Sequence, residues 1–126
     1  MHCILRFQTD KFDVTKEREN PINPIYGESL LLWLRDKVKS QFDIPVPEAE
    51  DWGWYSQVNW KGRSYMLGAS AEDESGQYEW VFLIVKHRTL MEKIFGKEKM
   101  TSTDECVLFF RQLLEQEPAF RNLSVD

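Results

Sequence analysis

Trp54-Tyr55-Ser56-Gln57-Val58-Asn59-Trp60-Lys61-Gly62-Arg63-Ser64-Tyr65-Met66-Leu67-Gly68-Ala69-Ser70-Ala71 is the stretch that decides the fold. Two alternating runs flank Lys61-Gly62, and a glycine in a two-residue connection signals a tight β-hairpin. A two-residue loop pairs Trp60 with Arg63, Val58 with Tyr65, Ser56 with Leu67 and Trp54 with Ala69. Opposed residues share a face. Trp54, Val58, Tyr65 and Leu67 therefore lie on one side, and Tyr55, Gln57, Asn59, Ser64 and Met66 on the other. One face is core and the other mostly wet, and the two strands agree on which.

Downstream, Glu72-Asp73-Glu74-Ser75-Gly76-Gln77 is turn chemistry, and Tyr78 to Lys86 is the next strand. Its segment Trp80 to Val85 is apolar at every position, as expected of a central or doubly covered strand. Thr89 and Glu92 have capping-box spacing, and Gly96 can end the short helix they begin. Ser102 with Glu105 repeats the signal. The last helix then runs to about Gln116 before Pro118, burying Cys106, Phe109, Phe110, Leu113 and Leu114. Phe120, Leu123 and Val125 could form a terminal strand.

Upstream, Cys3 to Gln8 alternates as a short strand. Thr9 to Asn20 is polar, with only Phe12 and Val14 as anchors, and reads as a surface loop. Asn23 is a candidate N-cap, with Pro24 in the first turn of a helix running from about Pro24 to Phe42. Leu31, Leu34, Val38 and Phe42 recur at helical spacing, widened by Leu30, Leu32 and Trp33. Gly27 inside it calls for a close packing neighbour. Asp43-Ile44-Pro45-Val46-Pro47 forces an extended connection back to the hairpin. The expected order is β-α-β-β-β-α-α with a possible terminal β: an α+β single domain over residues 1–126. Its antiparallel sheet has about four strands, with helices mainly on one face.

The chain's 126 residues suffice for one ordinary core. With 42% hydrophobic and 13% aromatic residues it is too apolar to stay disordered. The apolar runs Leu30 to Leu34 and Trp80 to Val85 both fall far short of the roughly 20 residues that cross a bilayer, so no membrane is expected as partner. Nothing marks the chain for export, and Cys3 and Cys106 read as free, buried thiols. A cytoplasmic location is the expectation. A net charge of −5 argues against nucleic acid, which needs a basic face.

Charge is uneven along the chain. Residues 43–79 hold eight acids (Asp43, Glu48, Glu50, Asp51, Glu72, Asp73, Glu74, Glu79) against Lys61 and Arg63. Residues 86–99 hold five bases (Lys86, Arg88, Lys93, Lys97, Lys99) against Glu92 and Glu98. Such zones steer a partner or pair across a dimer axis, and both monomer and homodimer stay open.

The densest group of binding side chains is Glu48-Ala49-Glu50-Asp51-Trp52-Gly53-Trp54-Tyr55. Carboxylates beside tryptophans suit general acid catalysis. In an extended segment, however, neighbouring Glu50 and Asp51 point apart, and no nucleophile or second acid is brought to them. Catalysis would need Glu28, Glu50 or Asp51 to meet in one cleft, and no catalytic residue is assigned. His2 and His87 lack metal-ligand spacing, there is no phosphate-binding loop, and no cofactor is expected. The aromatics remain: tryptophan and tyrosine are favoured binding anchors, and carboxylates beside tryptophan faces suit a cationic group. The competing structural reading packs Trp54, Trp60 and Trp80 in the core and sets Trp52 on the same side as Trp54, capping the sheet edge.

The binding set is therefore Glu48, Glu50, Asp51, Trp52 and Trp54. The leading expectation is a small acidic, non-catalytic protein-interaction module, immunity- or chaperone-like, that holds a basic protein partner. The alternative is a small-molecule-binding domain with a pocket between sheet and helices lined by Trp33, Trp54, Tyr65 and Trp80.

Overall fold

The hairpin at the centre of the sequence lies inside the sheet, with strands on both sides of it. A computed structural model describes residues 2–74 and 77–126. In chain order the strands are β1 (His2–Gln8), β2 (Glu48–Glu50), β3 (Gly53–Trp60), β4 (Arg63–Glu74), β5 (Gln77–Lys86) and β6 (Arg121–Val125). The helices are α1 (Glu28–Val38), α2 (Leu90–Ile94) and α3 (Glu105–Glu115), with a 3-10 turn at Val14–Lys16. All six strands join one antiparallel sheet in the order β2-β3-β4-β5-β1-β6.

The β3-β4 register is the expected one, with Trp60 opposite Arg63, Val58 opposite Tyr65, Ser56 opposite Leu67 and Trp54 opposite Ala69. Lys61 and Gly62 both take positive φ, 48° and 85°, as a tight hairpin turn demands. One face is buried throughout: Leu5 and Phe7 of β1, Trp54 and Val58 of β3, Tyr65 and Leu67 of β4, and Trp80, Phe82 and Ile84 of β5. Onto it α1 packs Leu30, Leu31, Leu34 and Val38, and α3 packs Cys106, Val107, Phe110 and Leu114. Each fully buried leucine or phenylalanine contributes about 1.5–3 kcal/mol. The other face is open. Val81, Leu83 and Val85 are only half-buried there, so β5 is central but covered on one side.

Several boundaries differ from expectation. Among the described residues there are six strands rather than about four, because the short β2 pairs with β3 and the C-terminal segment pairs with β1. Glu72, Asp73 and Glu74 continue β4, and β5 begins at Gln77; the Ser75-Gly76 part of the expected turn lies outside the described residues.

α1 begins at Glu28, not Pro24, and ends at Val38, not Phe42. The Tyr26 carbonyl accepts from the Ala71 amide at 2.8 Å, so this backbone is spent on a bridge to β4 rather than on a helical turn. Gly27, not Asn23, occupies the cap position. A Cβ there would stand 2.3 Å from the Ala69 carbonyl oxygen, the close neighbour that the glycine required. The Thr89–Glu92 capping box forms as expected. At α3 the cap is Asp104 rather than Ser102: its carboxylate accepts from the Cys106 and Val107 amides.

Candidate functional site

β2 and β3 form a second hairpin that opposes Glu48 to Tyr55, Ala49 to Trp54 and Glu50 to Gly53. Opposed residues share a face, so Glu48, Glu50 and Tyr55 lie on the open side and Ala49 and Trp54 on the core side. Asp51 and Trp52 make the turn between them.

That turn is held from outside the sheet. The Asn20 side-chain amide donates to the carbonyls of Glu50 (3.0 Å) and Gly53 (2.9 Å), and its oxygen accepts from the Ile22 and Asn23 amides. Asn23 donates to the Asp51 carbonyl at 2.8 Å. Gly53 leaves the turn at φ 148°, where a Cβ would lie 2.4 Å from the Ala69 carbonyl oxygen. The close approach that Gly53 permits is thus by β4 backbone.

This turn corrects the placement of Trp52. Strand alternation sets it beside Trp54, but alternation does not run through a turn leaving at positive φ. The Trp52 ring instead lies on the open face over Gly68, its tip 2.6 Å from where a Cβ on Gly68 would be. Glycine 68 is the seat of the ring. Trp52, Glu50, Tyr55, Gln57, Met66 and Leu83 line a cleft of about 420 Å³.

Of the expected binding residues, Glu48, Glu50 and Trp52 come together on this face. Among the described residues neither glutamate pairs with a base. The Tyr55 phenol is raised above its ordinary value, first by the charge of Glu48, then by desolvation, a hydrogen bond to Glu48 and the charge of Glu50. Tyr55 is therefore a neutral phenol between two carboxylates. Asp51 is exposed at the tip of the turn.

Trp54 does not belong to the surface. It is 2% exposed, donates from Nε1 to the Ile25 carbonyl at 3.1 Å, and lies beneath the Arg18 guanidinium, 5.2 Å from its ring centre. Glu28 is equally remote, buried at the start of α1, where it accepts from both the amide and Nε of Arg18. Glu28, Glu50 and Asp51 do not share a cleft.

The uneven charge along the chain becomes a gradient along the sheet. A cavity of about 510 Å³ at one end is lined by Arg6, Ser70, Glu72, Asp73, Glu79 and Val81. A hollow of about 290 Å³ at the other is lined by Gln57, Met66, Val85, Lys86, His87, Arg88 and Lys93. β5 links them, Glu79 to Lys86 spanning about 23 Å at strand rise. Beyond the basic end, α2 exposes Leu90, Met91 and Ile94, and its C-cap Phe95 is exposed beside them. The signal in the sequence is four large apolar residues, Leu90, Met91, Ile94 and Phe95, among lysines within six positions, a cluster that the capping-box pattern does not report.

The buried polar groups behind the sheet are structural. Tyr65 donates to Asp104 and is raised well above its ordinary value, by burial first and then by that bond. The Cys106 thiol is pushed up to about 12, by burial and then by Asp104, which leaves it inert at neutral pH. Cys3 and Cys106 are both free and buried.

Fold and surface together define a small single-domain α+β protein with α1 and α3 packed on one face of an antiparallel sheet and an acidic-aromatic cleft on the other. No helix among the described residues is long and apolar enough to cross a membrane. Comparison with protein-family models, curated proteins and solved structures finds no match for the chain.

Proposed function

We propose that the chain is a non-catalytic protein-interaction module, of the immunity-inhibitor or secretion-chaperone kind, whose open sheet face holds a basic protein partner. The observation that carries this reading is Trp52 lying over Gly68 beside Glu48 and Glu50, which have no base of their own among the described residues. An arginine or lysine entering the cleft would lay its aliphatic stem on Met66 and Leu83, with its charge between the indole face and the carboxylates. Two unpaired, buried thiols support a reducing compartment and hence a cytoplasmic location.

The small-molecule alternative has weaker support. Trp33 and Trp80 both contact Phe12, but the register sets Trp80 opposite Ala71 and Tyr65 opposite Lys86. Trp80 and Tyr65 are thus six residues apart along β4-β5, about 20 Å at strand rise, too far to line one small pocket.

Affinity capture from native lysate on the immobilised chain tests the proposal, with Trp52→Ala/Glu50→Gln as the matched control. Basic proteins held by the wild type should elute as salt rises and be absent from the variant. Recovery of the same proteins on both would overturn it.

A further inference from the structure

Resting on that reading of the cleft, we propose that its basic partner includes a second copy of this chain: a two-fold homodimer in which α2 of each copy docks in the Trp52 cleft of the other. The chain carries both halves of a complementary pair. Leu90, Met91, Ile94 and Phe95 are 72%, 60%, 64% and 64% exposed, a concentration of apolar surface that a soluble helix of this size does not need for its own packing.

The charges around α2 leave it basic. Glu92 is consumed by Arg63, with bonds of 2.8 and 2.7 Å, and by the Thr89 amide. Glu98 is consumed by Lys86 at 3.1 Å. Among the described residues Lys93, Lys97 and Lys99 have no ion pair, so α2 is an apolar knob fringed by unpaired ammonium groups. The cleft is its converse, with apolar walls of Trp52, Met66 and Leu83 beside the unpaired Glu50, and the unpaired Glu48 opposite Tyr55 on the same face.

Within one copy the two cannot meet, because the Arg63–Glu92 pair ties α2 to the far end of the β3-β4 hairpin. Between copies they can. Gln57 and Met66 line both the Trp52 cleft and the basic hollow, and so mark the midpoint between the two features. A two-fold axis across the strands at that point turns one copy's α2 end onto the other's Trp52 end, and the reverse, making the contact twice. The sheet edges favour association by face. β2 has three residues and follows Pro45 and Pro47, while β6 is irregular opposite Arg6 and Gln8, with Asn122 at φ 57°.

Sedimentation velocity on the purified full chain across a concentration series tests this. The wild type should show a reversible dimer that weakens with salt. Glu48→Lys/Glu50→Lys and Lys93→Glu/Lys97→Glu should each raise the dimer dissociation constant at least about tenfold. Mixed together they should recover it as a heterodimer, since one contact keeps its native charges and the other has both signs reversed. That recovery also shows both variants to be folded.

A wild type that stays monomeric throughout overturns the proposal, as do reversed variants that dimerise normally or fail to complement. So does a monomer that instead co-sediments through α2 with phosphatidylserine vesicles. A monomer whose lysate capture still depends on Trp52 and Glu50 removes the homodimer alone and leaves the basic-partner reading standing.

Discussion

Gly68 has no side chain where the Trp52 ring needs the space, and this makes it the most informative position to vary. Its backbone is ordinary strand, so alanine is conformationally acceptable, but the new methyl would stand 2.6 Å from the indole tip. The ring, being the far end of a half-exposed side chain, should swing away. Gly68→Ala should therefore leave stability within about 1 kcal/mol by urea denaturation while shifting tryptophan emission and abolishing salt-sensitive capture of the partner. Unchanged emission with intact binding would show that the seat is not what positions Trp52. Gly53→Ala should behave oppositely. There both the positive φ and the Ala69 carbonyl 2.4 Å from the new methyl are backbone constraints, and the loss should be at least about 2 kcal/mol. At this scale the sequence was legible where a strand continued. Trp54 fell to the core by simple alternation, while Trp52 did not follow it because its side is set by the turn that Asn20 holds, a contact 30 residues away from Glu50.

The segment between β1 and α1 has the composition of a surface loop and the behaviour of a clamp. The Glu17 carboxylate accepts from the Gly27 and Ser29 amides, at 3.0 and 2.8 Å, and so caps α1 from outside the helix. Asn20, 7% exposed, satisfies two carbonyls and two amides of the β2-β3 turn and its own loop. Asn20→Ala should cost about 2 kcal/mol or more, since these groups lose their partner together, and should weaken partner binding by releasing Trp52. A urea midpoint equal to wild type would refute the clamp. Neither role could be read from local spacing: a bond from Glu17 to the cap residue Gly27, ten positions on, leaves no motif, and Asn23 beside Pro24 mimics one. The Thr89–Glu92 box was legible because both partners lie within one turn. It also gives a pH signature. Glu92 is held at about 2, first by its bond to Arg63 and then by the Thr89 amide, against an ordinary 4.5. A carboxylate depressed in the folded state stabilises fully above its unfolded value and loses that contribution as pH falls from 4.5 towards 2. Glu92→Gln should be less stable than wild type at pH 7 and converge with it near pH 2; a pH-independent gap in denaturation curves would contradict this.

Across the whole molecule, the β3-β4-β5 meander and the identity of its buried face were open to reading because turn chemistry and alternation agree there. The two outer strands were not equally visible. β2 is three residues with no apolar alternation, and exists only because the Trp52 turn folds it back on β3. β6 has the right residues, but its partner β1 lies more than a hundred positions away in sequence, which no local pattern reports. β6 nonetheless decides whether the sheet ends safely. It pairs Leu5 with Val125 and Arg6 with Ser124, and the Asp126 carboxylate accepts from Arg6 Nε at 2.7 Å. Without it, β1 would present seven residues of unpaired backbone beside the core residues Leu5 and Phe7, a template for intermolecular strand pairing. Deletion of residues 121–126 should therefore lower the thermal midpoint and produce thioflavin-positive aggregates on warming, whereas the intact chain should form none. A deleted chain that remains monodisperse with an unchanged midpoint would mean that the β1 edge is protected by something other than β6.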